Sequence, residues 1–390
     1  MKYRVISRAG VLTAALAAAG AMVTLLIFSA DAAAGVSAGL RGAAQLLVPS
    51  LFPFMALSSF VIRSGASDMA GRVLSPATRR FFRLPASCSA AIILSFVGGF
   101  PVGAKCVRLL YDRGSITLSQ AEQMMSFCVC SGPAFLITGV GTLLLHNASL
   151  GVTLYVSQLI SGIIIGFAAG RIYGRATFSG SAGISAPDVS AAEKEQPQNA
   201  LRTCEKVREA SGIAGSFIES VTDAAGSVIG MAAMVAVFGA FIQVCDASGL
   251  SGFISGTLRF FGADISLAEN GFYILAEVTR ASSSIAESGC PLWVFAFAVG
   301  SGGLCVHFQI LAILGDIRIS KLRFFMFRMM NAFVSSVIVY IVCCVQPQAV
   351  SASVTFGGTA VEYSSANLWG AAALLIMSVL FVLSLVFEKK

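Results

Sequence analysis

The length of its apolar runs is what most restricts this chain. Eight stretches offer the roughly 20 consecutive apolar residues that a helix needs to cross a bilayer, at about 10–30, 36–62, 117–146, 150–171, 213–245, 290–313, 322–346 and 367–387. Charged residues make up 12% of the chain and hydrophobic ones 56%, whereas a water-facing domain carries about 25% charged residues. The expected fold class is therefore all-α, a polytopic membrane protein with about eight transmembrane helices. Two more apolar stretches, 86–104 and 266–289, are interrupted and read as re-entrant hairpins.

The lipid bilayer is thus the first partner. A net charge of +7 would suit nucleic acid, but its distribution argues against that partner. With the N-terminus inside, all 26 Lys and Arg residues except Arg41, Arg259 and Arg280 fall on the cytoplasmic side or at its boundary. This is the positive-inside pattern, and it puts both termini in the cytoplasm. Lys2, Arg4 and Arg8 before an apolar run resemble a secretory signal, yet that run is long for one and reads better as an uncleaved first span. The ten cysteines include no C-x-x-C pair and only two His accompany them. The expectation is no metal site and no cofactor, with Cys serving as a small apolar packing residue.

The chain divides into an N-terminal transmembrane helix (1–35), a first repeat (36–172, with its hairpin in 86–112), a polar cytoplasmic linker (173–208), a second repeat (209–346, with its hairpin in 266–289), and an outside loop with a C-terminal transmembrane helix (347–390). The two repeats share an order of local signals. Ser64-Gly65, Arg80-Phe81-Phe82, Phe100-Pro101-Val102-Gly103-Ala104-Lys105 and Ser131-Gly132-Pro133 are answered by Ser248-Gly249, Arg259-Phe260-Phe261, Thr279-Arg280-Ala281-Ser282 and Ser301-Gly302-Gly303. Charge placement gives the halves opposite orientations, so the pattern reads as an inverted-topology repeat. That architecture places solute sites near the midplane, at discontinuous helices.

Irregular backbone at membrane depth survives only where protein buries it or where it lines a wet cavity. Four such breaks are expected, around Gly98–Gly103, Ser131–Pro133, Ser282–Ser284 and Gly300–Gly303. Pro133 lacks an N–H, so a carbonyl one turn earlier loses its partner. Helix N-termini at the breaks favour anions, although Gly and Ser also serve close helix packing. The candidate solute-binding residues are Lys105, Arg280, Ser131, Gly132, Ser301, Gly302, Phe100, Pro101, Gly103, Ser282, His307 and Gln309. Intramembrane cations are functional candidates by default, and Lys105 and Arg280 together would suit a small dianion. Lys105 could instead snorkel to the cytoplasmic surface, and Arg280 could pair structurally with Glu277 or Glu287. Glu219 and Asp223 share a helix face at i,i+4 spacing and fit either a cytoplasmic rim or a coupling-cation site (H+ or Na+). No Walker sequence, H-E-x-x-H or G-x-S-x-G occurs, so the chain is not expected to be an enzyme.

Several runs resemble a known family. Gly99-Phe100-Pro101-Val102-Gly103-Ala104, Ala121-Glu122 leading to Ser126-Phe127, Ser131-Gly132-Pro133-Ala134-Phe135, Glu277-Val278-Thr279 and Gly303-Leu304-Cys305-Val306-His307-Phe308-Gln309 are similar to the sporulation integral membrane protein YlbJ (SpoVV) family. That family belongs to the Gate, or nucleoside-recognition, superfamily. The resemblance covers about 36–346 and departs at Cys128-Val129-Cys130, where the family pattern places an Asn. It implies a carrier of a small anionic solute, dipicolinate, across the outer forespore membrane during endospore formation. The expected mechanism is alternating access at a midplane site, with Phe100 and Phe135 flanking the aromatic ring. A nucleoside carrier of the same superfamily and a non-transporting sporulation scaffold fit the same sequence. A homodimer is compatible with all three.

Overall fold

The computed structural model describes residues 8–65, 75–179, 198–262 and 264–345. The span at 367–387, the outside loop before it and the middle of the linker lie outside the described residues. Every described element is helical. Helices α1 (Arg8–Ile27), α2 (Ser29–Gly42) and α3 (Val48–Arg63) come first. The hairpin stretch of the first half forms α4 (Cys88–Gly98) and α5 (Phe100–Asp112). Next come α6 (Leu118–Phe127), the π-wound α7 (Ala134–Leu144) and α8 (Ala148–Ser179). The second half holds α9 (Gln198–Ala247), α10 (Leu250–Phe260), α11 (Ile265–Ala276), α12 (Val278–Glu287), α13 (Leu292–Ser301), α14 (Gly303–Leu314) and α15 (Lys321–Val345).

Among the described residues, four helical stretches are long and apolar enough to cross a membrane: Ala148–Tyr173, Ile213–Ala247, Leu292–Leu314 and Lys321–Val345. The bent pair Ala18–Ile27 and Ser29–Gln45, which meet at 95°, makes a fifth if counted as one span. The shorter apolar helices owe their length to breaks inside otherwise continuous apolar sequence. Large apolar side chains such as Leu26, Ile229 and Phe333 remain exposed, as lipid-facing residues do.

The sequence places a gap between its first two spans at 31–35. The structure instead restarts the helix at Ser29 and carries it through a π-wound turn, Ala43–Leu47, into α3. Residues 31–39 are small rather than greasy, and that lets α2 lie directly on α9. A Cβ on Gly39 would sit 2.8 Å from the Val235 carbonyl oxygen and 2.9 Å from the Ala236 Cα. Small-residue packing of this kind holds helices together where lipid removes the hydrophobic drive.

A polar seam joins α8 to α15. The Gln158 amide donates to Ser335 Oγ at 3.1 Å and to the Ala296 carbonyl at 3.3 Å, and the Asn331 amide donates to Gln158 Oε1 at 3.3 Å. Gln158, Ser161, Asn331 and Ser335 are all fully buried. The cysteines with described side chains are buried apart from Cys343 and Cys344, and none is in a disulfide.

Candidate functional site

Four interruptions of the helices converge, and glycine is the reason they can. Gly99 separates α4 from α5 with φ +88°, and a Cβ there would lie 2.8 Å from the Gly132 backbone nitrogen. Gly132 belongs to the break between α6 and α7. In the second half, Gly303 follows the α13–α14 break with φ +67°, and a Cβ there would lie 3.1 Å from the Glu277 nitrogen. The break expected at Ser282–Ser284 falls instead at Glu277, between α11 and α12, because the Glu277 carboxylate caps the helix start and the three serines lie inside α12. Each half therefore closes its two breaks on each other, backbone to backbone. The halves also meet: the Ser131 hydroxyl donates to the Val299 carbonyl at 3.3 Å, and the Phe100 ring is 3.6 Å from the Cβ position of Gly302.

At these breaks the polar groups are largely satisfied within the chain. Glu277 is buried and caps α12, accepting from the Thr279 N–H at 2.9 Å and the Arg280 N–H at 2.7 Å. Ser282 and Ser301 donate to the Val278 and Ala298 carbonyls at 2.7 and 2.9 Å. Pro101 and Gly103 are buried in the first turn of α5, where Gly103 packs against the Cys128 carbonyl. Phe135 is buried in α7. His307 Nδ1 faces the Gly303 carbonyl at 2.6 Å and so must donate to it, which leaves the buried Nε2 without a partner among the described residues. Gln309 Nε2 contacts Cys305 Sγ at 3.3 Å.

Lys105 lies six residues past Gly99 and Gln309 seven past Gly302, each about 10 Å along its helix at 1.5 Å per residue. Both line a cavity of about 480 Å³ bounded also by Asp223, Ser227 and Met231 of α9. The Lys105 ammonium is 2.6 Å from Asp223 Oδ1 and 3.3 Å from Ser227 Oγ. The other Asp223 oxygen is 3.2 Å from Arg63, and Arg63 reaches Glu219 at 3.1 Å. Two cations from the first half thus meet two carboxylates from α9. Arg280 is not among the residues lining this cavity. Its guanidinium lies 5.3 Å from the Tyr273 ring centroid, and the Tyr273 hydroxyl donates to Asp246 at 2.9 Å. Glu287 is exposed at the end of α12. A larger space, about 680 Å³, opens at the α14–α15 turn around Asp316 and Lys321. The Asp316 side chain in it is 86% exposed. The Asp316 carboxyl is held below its ordinary range, first by its own backbone N–H and then by Arg108.

Two residues that pattern reading passed over matter here. Arg63 completes the ion network. Arg328 of α15 is fully buried, and its guanidinium donates to the Val129 carbonyl and, at 3.5 Å, to the Ser126 carbonyl. Val129 lies in the non-helical stretch 128–132 between α6 and α7, so its carbonyl has no helical donor and Arg328 supplies one. The sequence carried the two halves of this signal separately, as a Ser-Gly-Pro break in one span and a cation inside another.

Comparison with known proteins agrees with this architecture. Residues 44–148, which hold the first-half breaks and Lys105, match the nucleoside-recognition (Gate) family. The sporulation integral membrane protein YlbJ of Bacillus subtilis (strain 168) is 28% identical over 307 residues, covering 76% of this chain and 73% of that protein. No solved structure matches the chain. The chain is thus similar over 76% of its length to the integral membrane protein YlbJ and over residues 44–148 to the nucleoside-recognition (Gate) family, and it has four or five helical stretches long and apolar enough to cross a membrane.

Proposed function

We propose that this protein is a carrier for a small anionic solute, with dipicolinate as the cargo and the outer forespore membrane as its location. One observation carries the reading: a cation, Lys105, lines a cavity between the halves on two helices that both start at membrane-depth breaks. The parallel order of elements supports an inverted repeat. In each half a divided hairpin (α4–α5, α11–α12) precedes a broken helix (α6–α7, α13–α14) and then a long one (α8, α15). Carriers of this construction alternate access by moving one repeat against the other around a fixed site. Lys105 receives one carboxylate, the Gln309 amide donates to a solute oxygen, and Phe100 stands between the cavity helices and the breaks. Arg280 serves the approach from the outside face.

Uptake of labelled dipicolinate into proteoliposomes tests the proposal. Lys105→Ala is expected to abolish flux and Arg280→Ala to slow it. Undiminished flux in the double variant would overturn the site. The Gate family's description names nucleosides; flux of a neutral nucleoside that is indifferent to Lys105→Ala would favour that cargo instead.

A further inference from the structure

The Asp223 carboxylate is already a ligand of the cation assigned to the solute, and its geometry is that of a bridge. One oxygen holds Lys105 at 2.6 Å and the other holds Arg63 at 3.2 Å. Ser227 donates its own proton to the Asp223 backbone carbonyl at 2.9 Å, so its oxygen is free to accept from Lys105. An ammonium has three donors; Asp223 and Ser227 take two, and the residue lines the cavity. If Asp223 releases Lys105, it keeps Arg63, and neither carboxylate of the network is left without a cation. Lys105 would be left with a neutral hydroxyl alone. The network is therefore arranged so that one carboxylate can replace another on Lys105 at small cost.

We propose that Asp223 is a resident competitor for the solute: a solute carboxylate binds by taking Lys105 from Asp223, which stays on Arg63. This rests on the reading of the cavity as the solute site and adds the group that gates it. Apparent affinity is then reduced by the fraction of molecules in which Lys105 is engaged with Asp223. Charge follows the exchange. Arg63 and Lys105 balance Glu219 and Asp223, so a bound carboxylate leaves the network one negative charge in excess. The charged groups facing Asp223 are Arg63 from α3, Lys105 from α5 and Glu219 from its own helix; from α14 the cavity receives the neutral Gln309.

Equilibrium binding to the purified full-length chain in detergent tests this, with dipicolinate and with benzene-1,3-disulfonate, which stays ionised across the pH range. Asp223→Asn is expected to tighten binding of both by about fivefold, the scale of a part-exposed ion pair. Lys105→Ala should remove binding in the wild-type and Asp223→Asn backgrounds alike, while Asp316→Asn, which breaks a remote pair, leaves it unchanged. A folded Asp223→Asn protein with unchanged or weaker affinity overturns the competitor role if Lys105→Ala still removes binding. Binding that ignores Lys105→Ala sinks the solute-site reading instead. If Asp223→Asn does not fold, Arg63→Gln decides: without Arg63, Asp223 has only Lys105 to hold, so weaker binding of both solutes supports the exchange and unchanged binding overturns it.

Discussion

At the scale of single residues, Arg328 shows how a broken helix is tolerated in an apolar interior. No carboxylate pairs with it among the described residues; its partners are the orphan carbonyls of Ser126 and Val129. A cation at a helix C-terminus also opposes the negative end of the helix dipole. Arg328→Ala is expected to lower stability by about 1–3 kcal/mol, because leaving a buried acceptor unsatisfied outweighs relief from burying the charge. Arg328→Lys should recover part of this, since an ammonium lacks the planar fork that spans two carbonyls. Thermal unfolding in detergent reads both, and an Arg328→Ala protein that melts at or above the wild type would contradict the role. Sequence reading located the break from Ser131-Gly132-Pro133 alone, since the chemistry of Gly and Pro is local. It left Arg328 among the cytoplasmic-boundary cations, because the depth of a side chain depends on what packs around it.

At the scale of elements, the breaks work as matched pairs. Gly99 and Gly303 both adopt positive φ, and a Cβ on either would press on backbone of the other break in its half. Gly99→Ala is expected to cost about 1–3 kcal/mol through strain and the forced separation from Gly132. Gly20→Ala, which meets nothing within 4 Å, should be neutral or stabilising in the same unfolding assay. Equal effects of the two would remove the packing argument. Glu277→Ala removes the only side-chain cap of α12 and should cost about 1–2 kcal/mol, whereas Glu277→Gln keeps an acceptor and should cost less; a melting series orders the two. Three of the four breaks were legible because Gly and Pro interrupt apolar sequence; the fourth falls at Glu277 rather than at Ser282–Ser284, where the Ser282 hydroxyl bonds back within the helix. The course of 31–35 was not legible: these residues look like a gap by hydropathy, and they are helix where α2 lies on the backbone of α9.

At the scale of the whole molecule, the expected inverted topology is open to direct measurement. In a cysteine-free background, single cysteines at Ser115 and Asp316 should react with an impermeant thiol reagent only from the cytoplasmic side, and those at Asn147 and Arg259 only from the outside. Labelling of Ser115 and Arg259 from the same side would rule out opposite orientations of the two halves. Hydropathy, charge placement and the Gly and Pro positions by themselves determined the membrane class, the all-helical composition of the described residues, three of the four breaks and the candidacy of Lys105. Each depends on transfer of a local segment into lipid or on the local chemistry of Gly and Pro, and neighbours in sequence suffice for that. Only the tertiary structure decided which groups face each other. It set Lys105 on Asp223, 118 residues away, and Arg328 beneath Val129, 199 residues away. It turned Arg280 toward Tyr273 rather than into the Lys105 cavity. Such pairings follow from how helices of the two halves pack together, and nothing in a local stretch of residues records which distant helix will lie alongside it.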